Sequence, residues 1–175
     1  MVRKRKSFGI TLLNSECSVT SFFPEDRPDI IKQLSETVYD HVNYDGLDWF
    51  QFDCVSILQN GDDIVGFSSI WHRPEYYEKG EVRILNRYWE NQELRRIGRE
   101  LARSHIISTV KDQLKFAKEL GYTSAFISRE KNPRMLLEFI NKVAMATDTI
   151  WNMHDKKVPV CDGHGCLQYK GYTKL

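Results

Sequence analysis

The centre of the chain carries a cationic run that contains one glycine: Arg95, Arg96, Ile97, Gly98, Arg99 and Glu100. Phosphate groups bind well where unpaired backbone N–H groups open a helix, and a glycine there lets the backbone approach closely. Guanidinium groups add charge-assisted hydrogen bonds to the same oxygens. The run therefore suits phosphate binding, although a charged and solvated helix face with one incidental glycine has the same composition.

Three potential metal ligands lie close together near the C-terminus: Cys161, His164 and Cys166. Structural zinc normally takes four ligands, and the fourth would have to come from Cys17 or Cys54. A disulfide between Cys161 and Cys166 is an alternative, because the two ends of a hairpin can meet disulfide geometry. The intervening Asp-Gly and Gly residues also suit a hairpin tip that binds nothing. The shortfall of ligands leads us to expect no metal.

The composition is that of a globular protein. The 175 residues are 41% hydrophobic and 28% charged, which separates the chain from disordered proteins. The length suggests one domain over residues 8–175, preceded by a basic, flexible tail over residues 1–7. The formal net charge is +1, so no overall field attracts nucleic acid. We therefore interpret the basic cluster at residues 3–6 as solvated tail rather than as a nucleic-acid contact.

No segment of the sequence has the length and hydrophobicity of a membrane span. The basic start is followed by a short apolar stretch at residues 8–13, which Asn14 interrupts. That stretch is too short for a signal peptide or a spanning helix. We expect a cytoplasmic protein whose four cysteines are free thiols, because cysteines this sparse form no disulfide scaffold.

Apolar spacing predicts three helices. The first covers residues 29–42, with Asp29 as its cap. The second carries an apolar stripe from residue 106 to residue 120, with Ser104 as its cap, and residues 91–103 fit either loop or further helix. The third covers residues 134–143 and is opened by the pair Asn132-Pro133, because proline suits the first turn of a helix.

The remaining β-prone runs predict seven strands, at residues 8–13, 52–59, 64–72, 81–89, 122–128, 149–160 and 166–172. An Asn-Gly turn at residues 60–61 joins the second and third of them as a hairpin. The strands on either side of the second helix need a crossover connection, which makes them parallel. The expected fold class is a mixed α/β domain with a twisted, mainly antiparallel sheet, one parallel strand pair and helices on both faces.

This order of elements resembles the GCN5-related N-acetyltransferase (GNAT) fold, from about residue 8 to the end of the chain. Residues 83–88, Arg-Ile-Leu-Asn-Arg-Tyr, and residues 166–169, Cys-Leu-Gln-Tyr, are also similar to acetyltransferase-like proteins of marine phages. The resemblance is one of layout more than of motif. It implies that strands 81–89 and 122–128 splay apart at one end, and that the pantetheine arm of acetyl-CoA inserts between them.

The resemblance also implies a phosphate site and an oxyanion site. The GNAT pyrophosphate loop follows the pattern Gln/Arg-x-x-Gly-x-Gly/Ala, which Arg95 and Gly98 match. Glu100 departs from it by placing negative charge near the phosphates, which Arg96, Arg99 and Arg103 would offset. The thioester carbonyl would be polarised by backbone N–H groups of three residues: Asn86, Arg87 and Tyr88.

Two catalytic positions follow from the resemblance, and each has a complication. Glu81 matches a general base at the start of the fourth strand of the family. It shares a strand face with Arg83 and Arg87, which would weaken it as a base at pH 7, so a structural Glu–Arg ion-pair network is the alternative. Asn132 matches an asparagine that precedes an acidic tyrosine by seven residues, but that position is Phe139, which has no proton to give.

The function that the resemblance implies is transfer of an acetyl group from acetyl-CoA to a small-molecule or peptide amine. The loop at residues 72–77 either lines the acceptor pocket or is a surface turn. A GNAT-like binding or regulatory protein without catalysis is the alternative, because fold alone does not establish activity. Glu100 and Phe139 are the two residues that favour this alternative.

Overall fold

The computed structural model describes residues 10–12, 17–42, 49–72, 77–88, 99–160 and 167–175. Its strands are β1 Ile10–Leu12, β2 Cys17–Phe22, β3 Cys54–Asn60, β4 Asp63–Trp71, β5 Glu81–Tyr88, β6 Ser124–Arg129, β7 Trp151–Met153, β8 Val158–Pro159 and β9 Leu167–Lys174. Its helices are α1 Pro28–Val42, α2 Arg99–Glu119 and α3 Pro133–Thr147. Short 3-10 turns lie at Pro24–Asp26 and Trp49–Gln51.

One mixed sheet contains the main strands in the order β1-β2-β3-β4-β5-β6-β9-β7, and β8 pairs with β9 beside it. The β5–β6 pair is parallel, as expected from the α2 crossover, and the other strand pairs of the described residues are antiparallel. This confirms the predicted fold class. The turn between β3 and β4 contains Gly61 at a φ of 62°, a left-handed conformation that favours glycine.

The helices cover both faces of the sheet, because alternate strand residues point to opposite sides. Helix α1 buries Ile30, Ile31 and Leu34 against one face, where Val55, Ile57, Phe67 and Leu85 meet them. Helices α2 and α3 pack on the other face against a second apolar cluster, which includes Cys54, Ile70, Val82, Ile84, Ala125 and Ile127. The sheet therefore has α1 on one face and α2 and α3 on the other.

Two predicted helix caps are wrong. Helix α1 begins at Pro28, so Asp29 lies inside its first turn and forms a bidentate contact with Arg27. Helix α2 begins at Arg99, so Ser104 lies within it, and the Ser104 carbonyl accepts a hydrogen bond from the Ser108 hydroxyl. Residues 91–103 fit either loop or helix from their sequence. The structure is helical from residue 99 onward, and residues 91–98 lie outside the described residues.

Two predictions about strands also need correction. Strand β2 is absent from the predicted strands. Its Ser21 is buried, and the Ser21 hydroxyl lies 2.6 Å from that of Ser56 on β3. The single strand predicted at residues 149–160 is two short strands, β7 and β8, which pair with different parts of β9. No helix in the described part of the chain is long and apolar enough to cross a membrane.

Candidate active site

Strands β5 and β6 separate after a short parallel ladder. Their pairing runs from Glu81 opposite Ser124 to Arg83 opposite Phe126 and then stops. Beyond that point β5 stays paired with β4, and β6 stays paired with β9, so the two strands diverge with their outer partners. Backbone groups on the two separating edges face the gap, where an extended ligand can hydrogen-bond to them as a neighbouring strand would.

A cleft of about 640 Å³ fills this gap and has a basic lining. Two acidic side chains, Glu130 and Glu138, contribute to its walls. Five cationic side chains outnumber them: Arg83, Arg87, Arg103, Arg129 and Lys131. A cleft with this charge attracts anions such as phosphate, because one sign of charge between low-dielectric walls concentrates the field.

The apolar part of the cleft comes from β6 and α3. Ile127 and Leu136 are buried, and Phe139 is half-buried against the apolar cluster beneath α3. These side chains offer a hydrophobic surface to an alkyl chain that lies between the strands. Phe139 is therefore in the cleft, as the resemblance implied, with a ring that cannot donate a proton.

Asn132 has a structural role at the start of α3. It adopts a left-handed backbone conformation with a φ of 60°, and its Oδ1 accepts a hydrogen bond of 3.3 Å from the Met135 backbone N–H. This is the standard N-cap interaction, which satisfies one of the unpaired donors of a first helical turn. The cap holds α3 so that its first turns form one wall of the cleft.

Glu81 is buried and forms an ion pair with Lys170, which is partly buried. Both carboxylate oxygens lie 2.9 Å from the Lys170 Nζ, and the two side chains are 7% and 14% exposed. The Nζ also lies 4.3 Å from the ring centroid of Phe126. The predicted network partner was an arginine, whereas the partner is a lysine from β9. Arg83 instead donates to Gln168 Oε1 across 3.5 Å and lies over the Trp71 ring.

The segment predicted to polarise a thioester carbonyl forms the β5 wall of the cleft. Asn86 and Arg87 line it, and the Arg87 Nη1 donates a hydrogen bond of 2.8 Å to the Asn86 carbonyl. Tyr88 ends β5 opposite Gly66 of β4. Of the predicted phosphate run, Arg99 is the first residue of α2, and Arg95, Arg96, Ile97 and Gly98 lie outside the described residues.

Arg103, which the sequence nominates for phosphate, lines the cleft, whereas sequence reasoning missed four other residues of the lining: Ser128, Arg129, Lys131 and Gln168. Arg129 is the last residue of β6 and Lys131 lies two residues beyond it, at the end of the strand that the resemblance places beside the ligand. Their position and charge were therefore sufficient to find them. Gln168 and Ser128 had no such signal, because their 2.7 Å hydrogen bond joins residues forty positions apart.

The candidate metal ligands Cys161, His164 and Cys166, and most of the loop at residues 72–77, lie outside the described residues. Cys17 and Cys54 are buried at opposite ends of the β2–β3 ladder, so they cannot complete one metal site together. Burial raises the pKa of Cys54 to about 12, which keeps it a neutral thiol. The described residues contain no cluster of three or more metal-ligating side chains.

Several solved acetyltransferase structures are similar to this chain in fold. An IAA acetyltransferase from Bacillus cereus superposes with a TM-score of 0.56 at 10% identity, over 91% of this chain and 99% of that one. A ribosomal-protein-alanine N-acetyltransferase from Brucella melitensis has a TM-score of 0.56 at 12% identity, over 90% and 99%. The chain has the GNAT fold.

A third solved structure with the GNAT fold was determined with its ligands. It is the diaminobutyrate acetyltransferase from Paenibacillus lautus in complex with L-2,4-diaminobutyric acid and coenzyme A, with a TM-score of 0.52 at 11% identity, over 92% of this chain and 96% of that one. No family model and no curated protein matches this sequence. At these identities the likeness extends to the fold, and the chemistry has to be argued from the cleft.

Proposed function

We propose that this chain is an N-acetyltransferase that moves an acetyl group from acetyl-CoA to an amine. The observation that carries the proposal is the parallel β5–β6 ladder, which ends at Arg83 and opens into a basic cleft. This is the ligand-binding arrangement that the GNAT resemblance implies for acetyl-CoA. The solved structures of the same fold that are named above are all acetyltransferases, and their acceptors are a small molecule in one case and a protein in another.

Three parts of acetyl-CoA can be assigned to residues of this cleft. The pantetheine arm would lie between the diverging strands, against Ile127 and Phe139. Arg129 and Lys131 would contact phosphate, together with the backbone of residues 96–100, which the sequence pattern nominates for the pyrophosphate. Backbone N–H groups near residues 86–88 would stabilise negative charge on the thioester oxygen during attack.

The proton transfers of this reaction have no dedicated side chain at the two family positions. Glu81 is paired with Lys170, so we assign it a structural role and leave removal of the amine proton to water. Phe139 cannot protonate the departing thiolate, which then leaves as the anion or takes its proton from solvent. We therefore expect slow turnover, because a general acid typically contributes about 10²–10⁴-fold.

The ion-paired Glu81 and the phenylalanine at position 139 also support a second candidate, a GNAT-fold protein that binds a ligand without transferring acetyl groups. A turnover assay separates the two functions. Acetyl-CoA would be incubated with small amines and peptides, and thiol release and acetylated product would be measured together. Acetylated product confirms the transferase. Tight binding of acetyl-CoA without product from any acceptor would favour the binding protein.

A further inference from the structure

Gln168 of β9 joins the two strands that separate. Its Oε1 accepts a hydrogen bond of 2.7 Å from the Ser128 hydroxyl on β6 and one of 3.5 Å from Arg83 Nη2 on β5. Arg83 is also the last residue of β5 that pairs with β6. Because β6 lies between β5 and β9 in the sheet, the contact with Arg83 crosses the gap between β5 and β6 where that gap begins.

These three side chains form the closed end of the cleft, which is the end at which β5 and β6 are still paired. All three line the cleft. Gln168 and Arg83 are 8% and 5% exposed, and Ser128 is half-buried. The closed end of the cleft is therefore made of a carboxamide, a hydroxyl and a guanidinium that are already hydrogen-bonded to one another.

The wall of the cleft formed by β6 and α3 differs in chemistry from this closed end, since it is apolar and consists of Ile127, Leu136 and Phe139. An alkyl group that lies along this wall gains free energy from the apolar surface removed from water. An alkyl group that reaches the closed end covers polar groups that it cannot hydrogen-bond, which is unfavourable. The cleft therefore favours an alkyl chain that stops short of Gln168.

The direction of a bound acyl-CoA follows from the proposed position of its phosphates. Arg129 and Lys131 stand at the open end of the cleft, where β6 ends. The run at residues 96–100 follows the end of β5 in the sequence. A pantetheine arm that starts at the open end and lies between the strands has its thioester as the deepest group. An acyl group on that thioester therefore points toward the closed end.

We propose that Gln168 determines the acyl specificity of this chain, because its link to Ser128 and Arg83 makes the closed end polar and so selects acetyl-CoA over thioesters with longer alkyl chains. The inference rests on the proposed acetyl transfer and names the class of donor that the cleft accepts. It depends on hydrogen bonds that are present in the structure. Arg83 stays engaged with Gln168 and with the ring of Trp71.

Calorimetric titration of acetyl-CoA and butyryl-CoA without an acceptor tests this specificity independently of turnover. The wild type should bind butyryl-CoA no more tightly than acetyl-CoA, and tighter binding of butyryl-CoA overturns the inference. Gln168→Met keeps the length of the side chain and removes its hydrogen-bonding groups. This variant should shift the ratio of the two dissociation constants toward butyryl-CoA by about tenfold, the gain for two methylenes that meet an apolar surface. A shift below about twofold in the folded variant overturns the inference.

Three further variants control this test. A general loss of stability would weaken the binding of both thioesters alike and leave their ratio unchanged. Gln168→Glu keeps the closed end polar and should keep the wild-type ratio. Gln33→Met is the matched control at an exposed glutamine of α1 and should also keep it. If Gln168→Met does not fold, Ser128→Ala removes the hydroxyl of the link and should shift the ratio in the same direction, and an unchanged ratio in Ser128→Ala overturns the inference.

The same titrations separate this inference from the proposed function. Binding of both thioesters by the wild type, with the same ratio in Gln168→Met, overturns the acyl specificity alone. The expected ratios without acetylated product from any acceptor support the acyl specificity and contradict the proposed transfer. Binding of neither thioester by the wild type overturns both.

Discussion

Replacing Glu81 by glutamine should destabilise the protein strongly rather than remove a catalytic base. The Glu81 carboxylate holds the Lys170 ammonium with both oxygens at 2.9 Å, and neither side chain is more than 14% exposed. Glutamine preserves the shape of the side chain and one acceptor oxygen. It leaves the lysine charge buried without a counter-ion, which is the costly event when one member of a buried pair is removed.

The expected loss follows from this burial. Breaking a buried ion pair by removing one partner costs about 3–5 kcal/mol. Lys170 keeps its contact with the Phe126 ring at 4.3 Å, and the glutamine oxygen still accepts a hydrogen bond, so we expect the lower end, about 3 kcal/mol. For a chain of this length, that corresponds to a fall in melting temperature of about 6–12 °C.

Urea denaturation followed by circular dichroism measures this loss. The double variant Glu81→Gln/Lys170→Met should recover much of the stability, because a methionine of similar length leaves no buried charge. Asp29→Asn breaks the exposed pair with Arg27 and should leave the midpoint nearly unchanged. A loss below about 1 kcal/mol for Glu81→Gln, combined with a large fall in kcat, would refute the structural role and restore Glu81 as the base.

Three further predictions concern other parts of the molecule. Phe139→Tyr should raise kcat for acetyl transfer by up to about 10²-fold, because it places a hydroxyl that can donate a proton in the cleft. An unchanged kcat would show that the reaction does not need a general acid at this position. Gly80→Ala should lower the free energy of unfolding, measured in urea, by more than Gly61→Ala does. Both glycines have positive φ, but only at Gly80 would a Cβ meet the Thr123 hydroxyl, at 2.5 Å. Equal losses in the two variants would refute this. Burial raises the pKa of Asp112, so its ionised form costs native stability above that raised pKa. Asp112→Asn should therefore raise the melting temperature at pH 7, with a gain that shrinks as the pH falls through the raised pKa, and a gain that grows toward acid pH would contradict this.

Local signals in the sequence were sufficient for most of the fold. The Asn-Gly turn at residues 60–61 defined the β3–β4 hairpin, and the Asn132-Pro133 pair marked the start of α3, where Asn132 is the N-cap. The crossover argument gave the parallel β5–β6 pair. These features depend on neighbouring residues, which explains why a single sequence reveals them.

The failures of prediction come from interactions between distant residues. Strand β2 was missed, and its Ser21 is buried in hydrogen-bond contact with Ser56, thirty-five positions away. The ion-pair partner of Glu81 was expected on the same strand, but it is Lys170, eighty-nine positions away. The place of Gln168 in the cleft was missed for the same reason, since the pairing of β9 with β6 brings it to Arg83.

Calorimetric titration of acetyl-CoA tests the central claim, that the cleft between β5 and β6 binds acetyl-CoA. The wild type should bind one equivalent with a dissociation constant of about 1 μM–1 mM, the usual range for enzyme substrates. The double variant Arg129→Glu/Lys131→Glu should bind at least tenfold more weakly, because both residues line the cleft and are exposed enough to tolerate the change. Lys156→Glu, at an exposed lysine outside the cleft lining, should bind as the wild type does. No binding to the wild type, or equal affinity in the wild type and the double variant, would contradict the claim.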